Sequence, residues 1–379
     1  MDPRVVELHR RAAARGDVIP LAGGLPAEEL LPRAALAAVI AEAARDPDAL
    51  QYGWPEGHEI VRAWIARRLR ERGMQVDADD VIVTAGAQQA LALAAPELAH
   101  GAISAGAATY PAALDAFAAA DVAVTCDARA EAHYVIPGAS NPSGVDLVEP
   151  VRAELLASAC VIADEAYVEL RFDGRVPPPL AAAAPDRVWH VGTVSKTLGP
   201  GLRIGWLVPP RGRRAAALAR KQAADLQTCG LSQLALARLV DAIDCDAQLA
   251  RARRQYALRA TRLLEALHVH APSLAIAEPE GGFSLWCETG DGGDELALLE
   301  AALAHGVSLD PGHIFRPDAT AGPAAFRVCF SYAAPDQLDE GARRIAAALA
   351  AWEASGRCAA APRASGGAPR CAPRSPSTT

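Results

Sequence analysis

The sequence is poor in aromatic residues, which make up 5% of its 379 residues, and it is acidic, with a net charge of −8 at pH 7. An acidic chain lacks the basic surface that nucleic-acid binding requires, so DNA and RNA are excluded as partners. No stretch reaches the roughly eighteen consecutive apolar residues of a membrane span, and the N-terminal residues lack the apolar run of a signal peptide. We therefore expect a cytoplasmic protein without a membrane segment.

The eight cysteines are dispersed along the chain and never form a Cys-x-x-Cys pair. Their spacing therefore indicates neither a zinc site nor a disulfide framework. Most of them lie in apolar segments, where we expect small core side chains in a reducing compartment. We predict no metal site.

Hydrophobic residues make up 51% of the chain, and apolar strand patterns alternate with helical patterns over its first two thirds. This alternation predicts an α/β fold with a mostly parallel central sheet between helices. We divide the chain into an N-terminal arm that is part of a small domain (1–50), a large domain (51–255) and a smaller α+β domain (256–354). The remaining residues (355–379) are rich in Gly, Pro, Ser and Ala and are predicted to be a disordered tail.

A loop between two apolar strands carries the first candidate site residues. Val188–Val194 and Ile204–Val208 are predicted strands, and the loop that joins them contains Lys196 and Arg203. Burial at a strand end disfavours the charged form of a lysine and makes its amine nucleophilic, as Schiff-base chemistry requires. The nearby arginine suits a phosphate. Spacing alone leaves a second interpretation equally open, in which both cations are solvated loop residues.

Three more polar turns follow predicted strands, at the edge of the sheet where ligands bind in open α/β folds. Thr84–Gln88 is a strand-to-helix turn whose amides and helix dipole suit a phosphate, although by itself it is more simply an ordinary turn. Asn141–Gly144 is a common turn sequence. Asp164–Tyr167 places a carboxylate at the end of a buried strand, where it needs a cationic partner.

Taken together, these residues form the set that binds pyridoxal 5′-phosphate (PLP). A carboxylate keeps the pyridine nitrogen protonated, a lysine forms an imine with the aldehyde, and phosphate donors anchor the far end. The sequence supplies the carboxylate with Asp164, the lysine with Lys196 and a phosphate donor with Arg203. Unrelated turns would not produce this combination. PLP is therefore the predicted cofactor.

The motifs that contain these residues resemble those of the fold-type I, class I/II aminotransferases. The resemblance is greatest to the kynurenine/2-aminoadipate type and to the aminotransferase half of the GntR-type regulators, and it covers about residues 20–350. The motifs, in family order, are LAGGLP (21–26), YGWPEG (52–57), TAGAQQAL (84–91), TYP (109–111), NPSG (141–144), DEAY (164–167), GTVSKTLGPGLRIG (192–205), EGGFSLW (280–286) and FRVCFS (326–331). It implies the PLP-dependent transferase fold of type I, with PLP bound by the large domain.

The resemblance also implies roles for single residues at the cofactor ring. Lys196 would form the Schiff base with PLP and shuttle a proton, and Asp164 would pair with the pyridinium nitrogen. Asn141 and Tyr167 would hydrogen-bond the phenolate oxygen, while Tyr110 would stack on the ring. The tyrosines could instead be core aromatics. Their positions within the family motifs outweigh this alternative except at Tyr110, where it stays open.

The remaining implied roles concern the phosphate, the partner subunit and the substrate. The residues implied to bind the phosphate are Gly86, Ala87, Gln88, Thr193, Ser195 and Arg203. Tyr52 would reach the phosphate of the neighbouring subunit, which implies a homodimer. Arg327 would bind the substrate α-carboxylate bidentately, assisted by Asn141 and the Gly24 backbone; otherwise it is a surface strand residue.

The sequence departs from the family pattern in two places. Ala87 stands where a serine or threonine is frequent, which removes one hydroxyl from the phosphate site. Residues 98–111 are weak as a strand and lack the usual acidic residue, and residues 121–141 are shorter than usual. We expect a strand or a turn to be trimmed in this region.

The resemblance implies an aminotransferase that moves an amino group from an L-amino acid to a 2-oxo acid. The alternative is another PLP reaction on an amino acid, such as decarboxylation, racemisation, elimination or oxidation. Arg327 favours reactions that retain the carboxylate. A third interpretation, a ligand-sensing domain of a regulator, is disfavoured because no helix-turn-helix or basic patch is seen.

Overall fold

The computed structural model describes residues 2–98, 101–127, 129–290, 292–319 and 322–356. Its helices are α1 (Pro3–Ala13), α2 (Arg33–Ala43), α3 (Glu59–Glu71), α4 (Ala87–Ala94), α5 (Pro111–Ala119), α6 (Glu149–Ala157), α7 (Leu180–Ala183), α8 (Arg214–Asp225), α9 (Gly230–Ala242), α10 (Cys245–His270), α11 (Glu295–Ala304) and α12 (Gln337–Ala354). Its strands are β1 (Ile19–Pro20), β2 (Ile82–Thr84), β3 (Ala102–Ser104), β4 (Ala123–Thr125), β5 (Ala132–Val135), β6 (Cys160–Asp164), β7 (Val188–Thr193), β8 (Gly205–Val208), β9 (Ala275–Ile276), β10 (Ser284–Glu288), β11 (Val307–Ser308), β12 (Asp310–Pro311) and β13 (Ala325–Cys329).

A seven-stranded sheet forms the centre of the larger part of the molecule, with the strand order β2-β8-β7-β6-β5-β3-β4. The strands from β7 to β4 in this order run parallel, whereas β8 is antiparallel to both of its neighbours. The predicted α/β fold with a mostly parallel sheet is confirmed.

Successive residues of the central strands pack against different helical layers. In β6, Val161 belongs to one hydrophobic cluster and Ile162 to another. In β7, Val188 and Val191 divide between the same two clusters. Burial on both faces explains the near-continuous apolar runs of these strands, and it leaves the strand ends as the place for the polar site residues.

The C-terminal part forms a smaller antiparallel sheet in the order β12-β13-β10-β9. Residues of this sheet and of α10, α11 and α12 share a second hydrophobic core, to which Leu263, Phe326 and Trp352 belong. The N-terminal arm joins this part, because β1 pairs in parallel with β11. The proposed domain boundaries stay a prediction, since α10 runs without interruption through position 255.

The expectation that a strand or a turn is trimmed relative to the family stays a prediction, although strands form throughout this region. Both β4 and β5 form within residues 121–141, and β3 forms in the weak stretch before Tyr110. The three-residue strand β3 pairs in parallel with β4 on one side and β5 on the other. Pairing on both sides therefore stabilises a strand whose own sequence predicts it only weakly.

The three helices α8, α9 and α10 follow one another between the two sheets in the chain. Among the described residues, no helix is both long and apolar enough to cross a membrane. The predicted tail lies outside the described residues from position 357 onward.

Candidate active site

A cleft at the carboxyl ends of β5, β6 and β7 brings most of the predicted site residues together. Its volume is about 530 Å³ including the open mouth, which is within the range of small-molecule sites. The residues that line it are Ala87, Gln88, Tyr110, Ile136, Asn141, Asp164, Ala166, Tyr167, Thr193, Ser195, Lys196 and Arg203. Only Ile136 and Ala166 are additions to the residues predicted from the sequence.

Lys196 follows β7 and projects into this cleft. Its Nζ atom lies 3.5 Å from the carbonyl oxygen of Gly24, 5.2 Å from the ring centre of Tyr167 and 5.8 Å from that of Phe283. Burial lowers the pKa of Lys196, as a nucleophilic amine requires. The chain contains one other lysine, Lys221, and that side chain is paired with a carboxylate on its own helix.

Asp164 is the last residue of β6 and lies buried at the base of the cleft. Its Oδ2 atom accepts a hydrogen bond from the Tyr134 hydroxyl at 3.0 Å, and its Oδ1 accepts one from the backbone N–H of Ala166 at 3.2 Å. Burial raises the pKa of Asp164 to about 6, against the opposing effect of these two hydrogen bonds. A cation in the cleft would stabilise the ionised carboxylate.

The next residue along the chain, Glu165, holds this strand end in place from the other side. It forms a buried ion pair with Arg72 and lies 3.6 Å from Nδ1 of His190. Burial alone would raise the pKa of Glu165, but Arg72 and His190 outweigh this effect and hold it at about 2. These three residues line a neighbouring cavity, which shares Ala166 and Thr193 with the cleft.

The predicted phosphate-binding turn lies at the N-terminus of α4. Gly86 has a φ of +90°, and Ala87 and Gln88 begin the helix, where backbone N–H groups are free to bind an anion. A Cβ atom on Gly86 would lie 2.6 Å from Nη2 of Arg203, which itself donates to the carbonyl oxygen of Ala85 at 2.8 Å. Glycine is therefore required for the arginine to reach this turn.

Two hydroxyls complete the same end of the cleft. The Thr193 hydroxyl lies 2.9 Å from Oγ of Ser195 and 2.8 Å from the carbonyl oxygen of Ile204. The backbone N–H of Ser195 donates to the Thr193 hydroxyl at 3.1 Å. Together with the α4 amides and Arg203, they form an anion site that suits a phosphate.

Arg327 lies in β13 of the smaller sheet and is not among the residues that line the cleft, but it contacts Asn141, which is one of them. Its Nη1 donates to Oδ1 of Asn141 at 2.8 Å, and its guanidinium carbon lies 4.8 Å from the ring centre of Phe315. Gly24 is next to it, because a Cβ atom there would lie 3.5 Å from Nη1. Burial alone would lower the pKa of Arg327, but the buried carboxylate of Asp310 raises it.

The three predicted tyrosines have different surroundings. Tyr167 is buried, packs edge-on against Phe283 at 5.3 Å and faces Lys196. Tyr110 immediately precedes α5 and lines the cleft. Tyr52 is 80% exposed and lies outside the cleft of its own chain.

Sequence reasoning missed Tyr134 and Asp310, which contact Asp164 and Arg327 respectively. Tyr134 lies within β5, and its contact depends on which strand pairs with which. Asp310 directly follows the short, largely apolar stretch Val307–Leu309, the same pattern that identified Asp164, so a signal for it was present in the sequence.

The residues present fit PLP. Asp164 offers a buried carboxylate for a protonated ring nitrogen, Lys196 offers a buried amine for the aldehyde, and the α4 turn offers an anion site. Because Gly86 has no side chain, the Arg203 guanidinium lies directly against this turn. This donor set and the open α/β sheet define a PLP-dependent enzyme of fold type I.

The family model of the class I and II aminotransferases matches residues 16–345, and the chain belongs to this family. It is 32% identical over 366 residues to the aromatic-amino-acid aminotransferase 1 of Thermococcus litoralis, covering 87% of each chain. Among solved structures, the Pyrococcus horikoshii kynurenine aminotransferase in complex with PMP is similar with a TM-score of 0.85 and 29% identity, over 93% of this chain and 95% of that one. The alpha-aminoadipate aminotransferase LysN of Thermus thermophilus, complexed with N-(5′-phosphopyridoxyl)-L-leucine, has a TM-score of 0.84 and 28% identity, over 94% and 96%.

The protein is thus a PLP-dependent aminotransferase that acts on amino acids. The predicted family, cofactor and class of reaction are confirmed. The roles of the individual site residues stay predictions.

Proposed function

We propose that Lys196 carries PLP and moves the proton during transfer of an amino group from an L-amino acid to a 2-oxo acid. The observation that carries this proposal is the buried Nζ of Lys196 in the cleft that also contains Asp164. When bound, PLP supplies an electron sink for the negative charge that develops at the substrate Cα. A lysine amine with a lowered pKa is suited to accept and return that proton.

The other cleft residues hold the cofactor in this proposal. Asp164 keeps the ring nitrogen protonated, and Tyr110 stacks on the ring. Asn141 and Tyr167 donate hydrogen bonds to the phenolate oxygen. The phosphate is held by Gly86, Ala87, Gln88, Thr193, Ser195 and Arg203.

Arg327 binds the substrate α-carboxylate in this scheme, with Asn141 and the Gly24 backbone at its side. Its guanidinium is buried beside the cleft, and such a group binds a carboxylate bidentately. A bound carboxylate is kept on the substrate, which supports amino-group transfer over decarboxylation. The named relatives act on aromatic amino acids, kynurenine and aminoadipate, so we propose an L-amino acid with a large side chain as the donor.

We also propose that the active form is a homodimer in which Tyr52 reaches the phosphate of the partner subunit. Leu50, Tyr52 and Trp54 lie on one loop and are each more than three-quarters exposed. Apolar side chains exposed together in this way favour a protein interface. The dispersed cysteines favour a reducing, cytoplasmic location.

Borohydride reduction tests the assignment of Lys196, because it joins a lysine-bound carbonyl cofactor permanently to the chain. The chain has only two lysines, so peptide mass spectrometry distinguishes the two candidates directly. We expect the cofactor mass on Lys196 alone, and the same result in the control variant Lys221→Arg. A label on Lys221, or one that persists in Lys196→Ala, would refute the assignment.

A further inference from the structure

Asp310 and Arg327 lie directly opposite each other on the paired antiparallel strands β12 and β13. Opposite residues in such a pair present their side chains on the same face of the sheet. Oδ2 of Asp310 accepts hydrogen bonds from Nε of Arg327 at 3.0 Å and from Nη2 at 2.7 Å. Both side chains are more than nine-tenths buried.

The contacts of Arg327 leave one particular edge of its guanidinium available. An arginine has five N–H donors. Among the described residues, Asp310 accepts from Nε and from one N–H of Nη2, and Asn141 accepts from one N–H of Nη1. One N–H therefore remains on each of the two Nη atoms, which is the pair that a carboxylate engages bidentately.

Asp310 also ties Arg327 to the segment next to Lys196. The same Oδ2 atom accepts from the backbone N–H of Gly23 at 3.0 Å, and the neighbouring Gly24 lies against both Arg327 and Lys196. Its other oxygen, Oδ1, lies 3.3 Å from Nε2 of His9 on α1. Each oxygen of this buried carboxylate therefore faces a separate part of the N-terminal segment.

We propose that Asp310 is the positioning residue of the carboxylate clamp: it occupies the Nε–Nη2 edge of Arg327 and so presents the Nη1–Nη2 edge to the substrate. This rests on the proposed function of Arg327. Asp310 acts through hydrogen-bond geometry, since its negative charge by itself would weaken rather than strengthen the binding of a second carboxylate. An uncharged acceptor of the same shape should therefore preserve most of its effect.

Binding of L-alanine and ethylamine to the PLP-loaded enzyme, followed by the cofactor absorbance, tests the proposal. These ligands differ only in the α-carboxylate, and neither needs a side-chain pocket. We expect Asp310→Ala to weaken L-alanine binding at least about tenfold and to leave ethylamine binding and the unliganded spectrum unchanged. Asp310→Asn should recover at least half of the loss on a logarithmic scale, because its amide oxygen still accepts from Arg327 and Gly23.

Unchanged L-alanine binding in Asp310→Ala, an equal loss for both ligands, or no recovery in Asp310→Asn would overturn the proposal. The variant Arg327→Ala distinguishes failure of this proposal from failure of the clamp itself. A selective loss of L-alanine binding in Arg327→Ala shows that the clamp exists, and the absence of a selective loss shows that it does not. Glu295→Gln is the matched control, since Glu295 forms a buried ion pair with Arg316 in the same domain. This variant should change the binding of L-alanine and of ethylamine by the same factor.

Discussion

The hydroxyl of Tyr134 donates a hydrogen bond to Oδ2 of Asp164 at 3.0 Å, and both residues are buried. Tyr134 lies in β5 and Asp164 ends the adjacent strand β6, so the parallel pairing of these strands brings them together. A hydrogen bond to the ionised form of a carboxyl group favours ionisation. Tyr134 therefore opposes the effect of burial on Asp164 and keeps the carboxylate available for a cationic ring.

Replacing Tyr134 with Phe should weaken PLP binding in a pH-dependent way. Loss of the hydrogen bond raises the pKa of Asp164 above its present value of about 6, by about one unit. The ratio of the PLP dissociation constants of variant and wild type should therefore increase as the pH falls from 8 to 6, to about fivefold at pH 6.

Titration of the apo proteins with PLP, followed by absorbance, measures this ratio. Tyr256→Phe is the control, because Tyr256 is also buried and its hydroxyl accepts a hydrogen bond from the N–H of Ala27, away from Asp164. A ratio that is independent of pH would contradict the role of Tyr134.

Asp164 should also make the apo protein less stable at neutral pH. Its folded pKa of about 6 is higher than its ordinary value of 3.8, so the folded state binds this proton more tightly than the unfolded state does. The protonated Asp164 contributes about 3 kcal/mol to the free energy of unfolding at low pH, below about pH 4. This contribution is lost as the pH rises to about 6. In Asp164→Asn this loss is absent.

Denaturant unfolding of both apo proteins at pH 4 and pH 7 checks this prediction. The difference in unfolding free energy, variant minus wild type, should increase by about 2 kcal/mol between pH 4 and pH 7, because pH 4 lies slightly above the unfolded pKa. With PLP bound, the order should reverse at pH 7, because only the wild type supplies a carboxylate to the ring nitrogen. Parallel pH profiles of the two apo proteins would refute the assigned pKa shift.

Replacing Gly86 with Ala should reduce PLP affinity at least about tenfold. The added Cβ atom would lie 2.6 Å from Nη2 of Arg203 and would move that side chain away from the phosphate turn. Gly73→Ala is a matched control, because Gly73 has the same φ of +90° but no atom within 4 Å of the added Cβ.

Both glycine variants should lose about 1–2 kcal/mol of stability from the left-handed backbone. Only Gly86→Ala should bind PLP more weakly in a titration of the apo protein. Equal PLP affinities in the two variants would show that Arg203 does not hold the phosphate.

Subunit mixing tests the proposed role of Tyr52. We expect Tyr52→Ala and Lys196→Ala to be poorly active when each is purified alone. A mixed dimer of the two variants has one site with an intact Lys196 and the partner's Tyr52, so the isolated mixed dimer should have about half of the wild-type activity.

The mixture is prepared by co-expression with two different affinity tags, and the doubly tagged dimer is assayed with an amino-acid panel. Activity no greater than the mean of the two parents would show that Tyr52 does not act across an interface. Lys221→Ala in place of Lys196→Ala is the control, since that lysine lies outside the cleft.

Local patterns were enough to predict the central sheet and most of the cleft. Strands buried on both faces have long apolar runs, and the polar residues that follow them mark Asp164 and Lys196 because the carboxyl ends of parallel strands line the ligand site. The sequence predicted strand β3 only weakly, because this strand is stabilised by pairing with two neighbouring strands rather than by the β propensity of its own residues.

By itself, the sequence determined the fold class, the cofactor and the chemical character of the cleft, since these follow from residue types at the ends of individual strands. Only the tertiary structure decided how those residues are held. Tyr134 contacts Asp164 across 30 positions and Asp310 contacts Arg327 across 17. Each contact depends on which strands are neighbours and in what register they pair, and a one-residue slip would turn the side chains to opposite faces of the sheet.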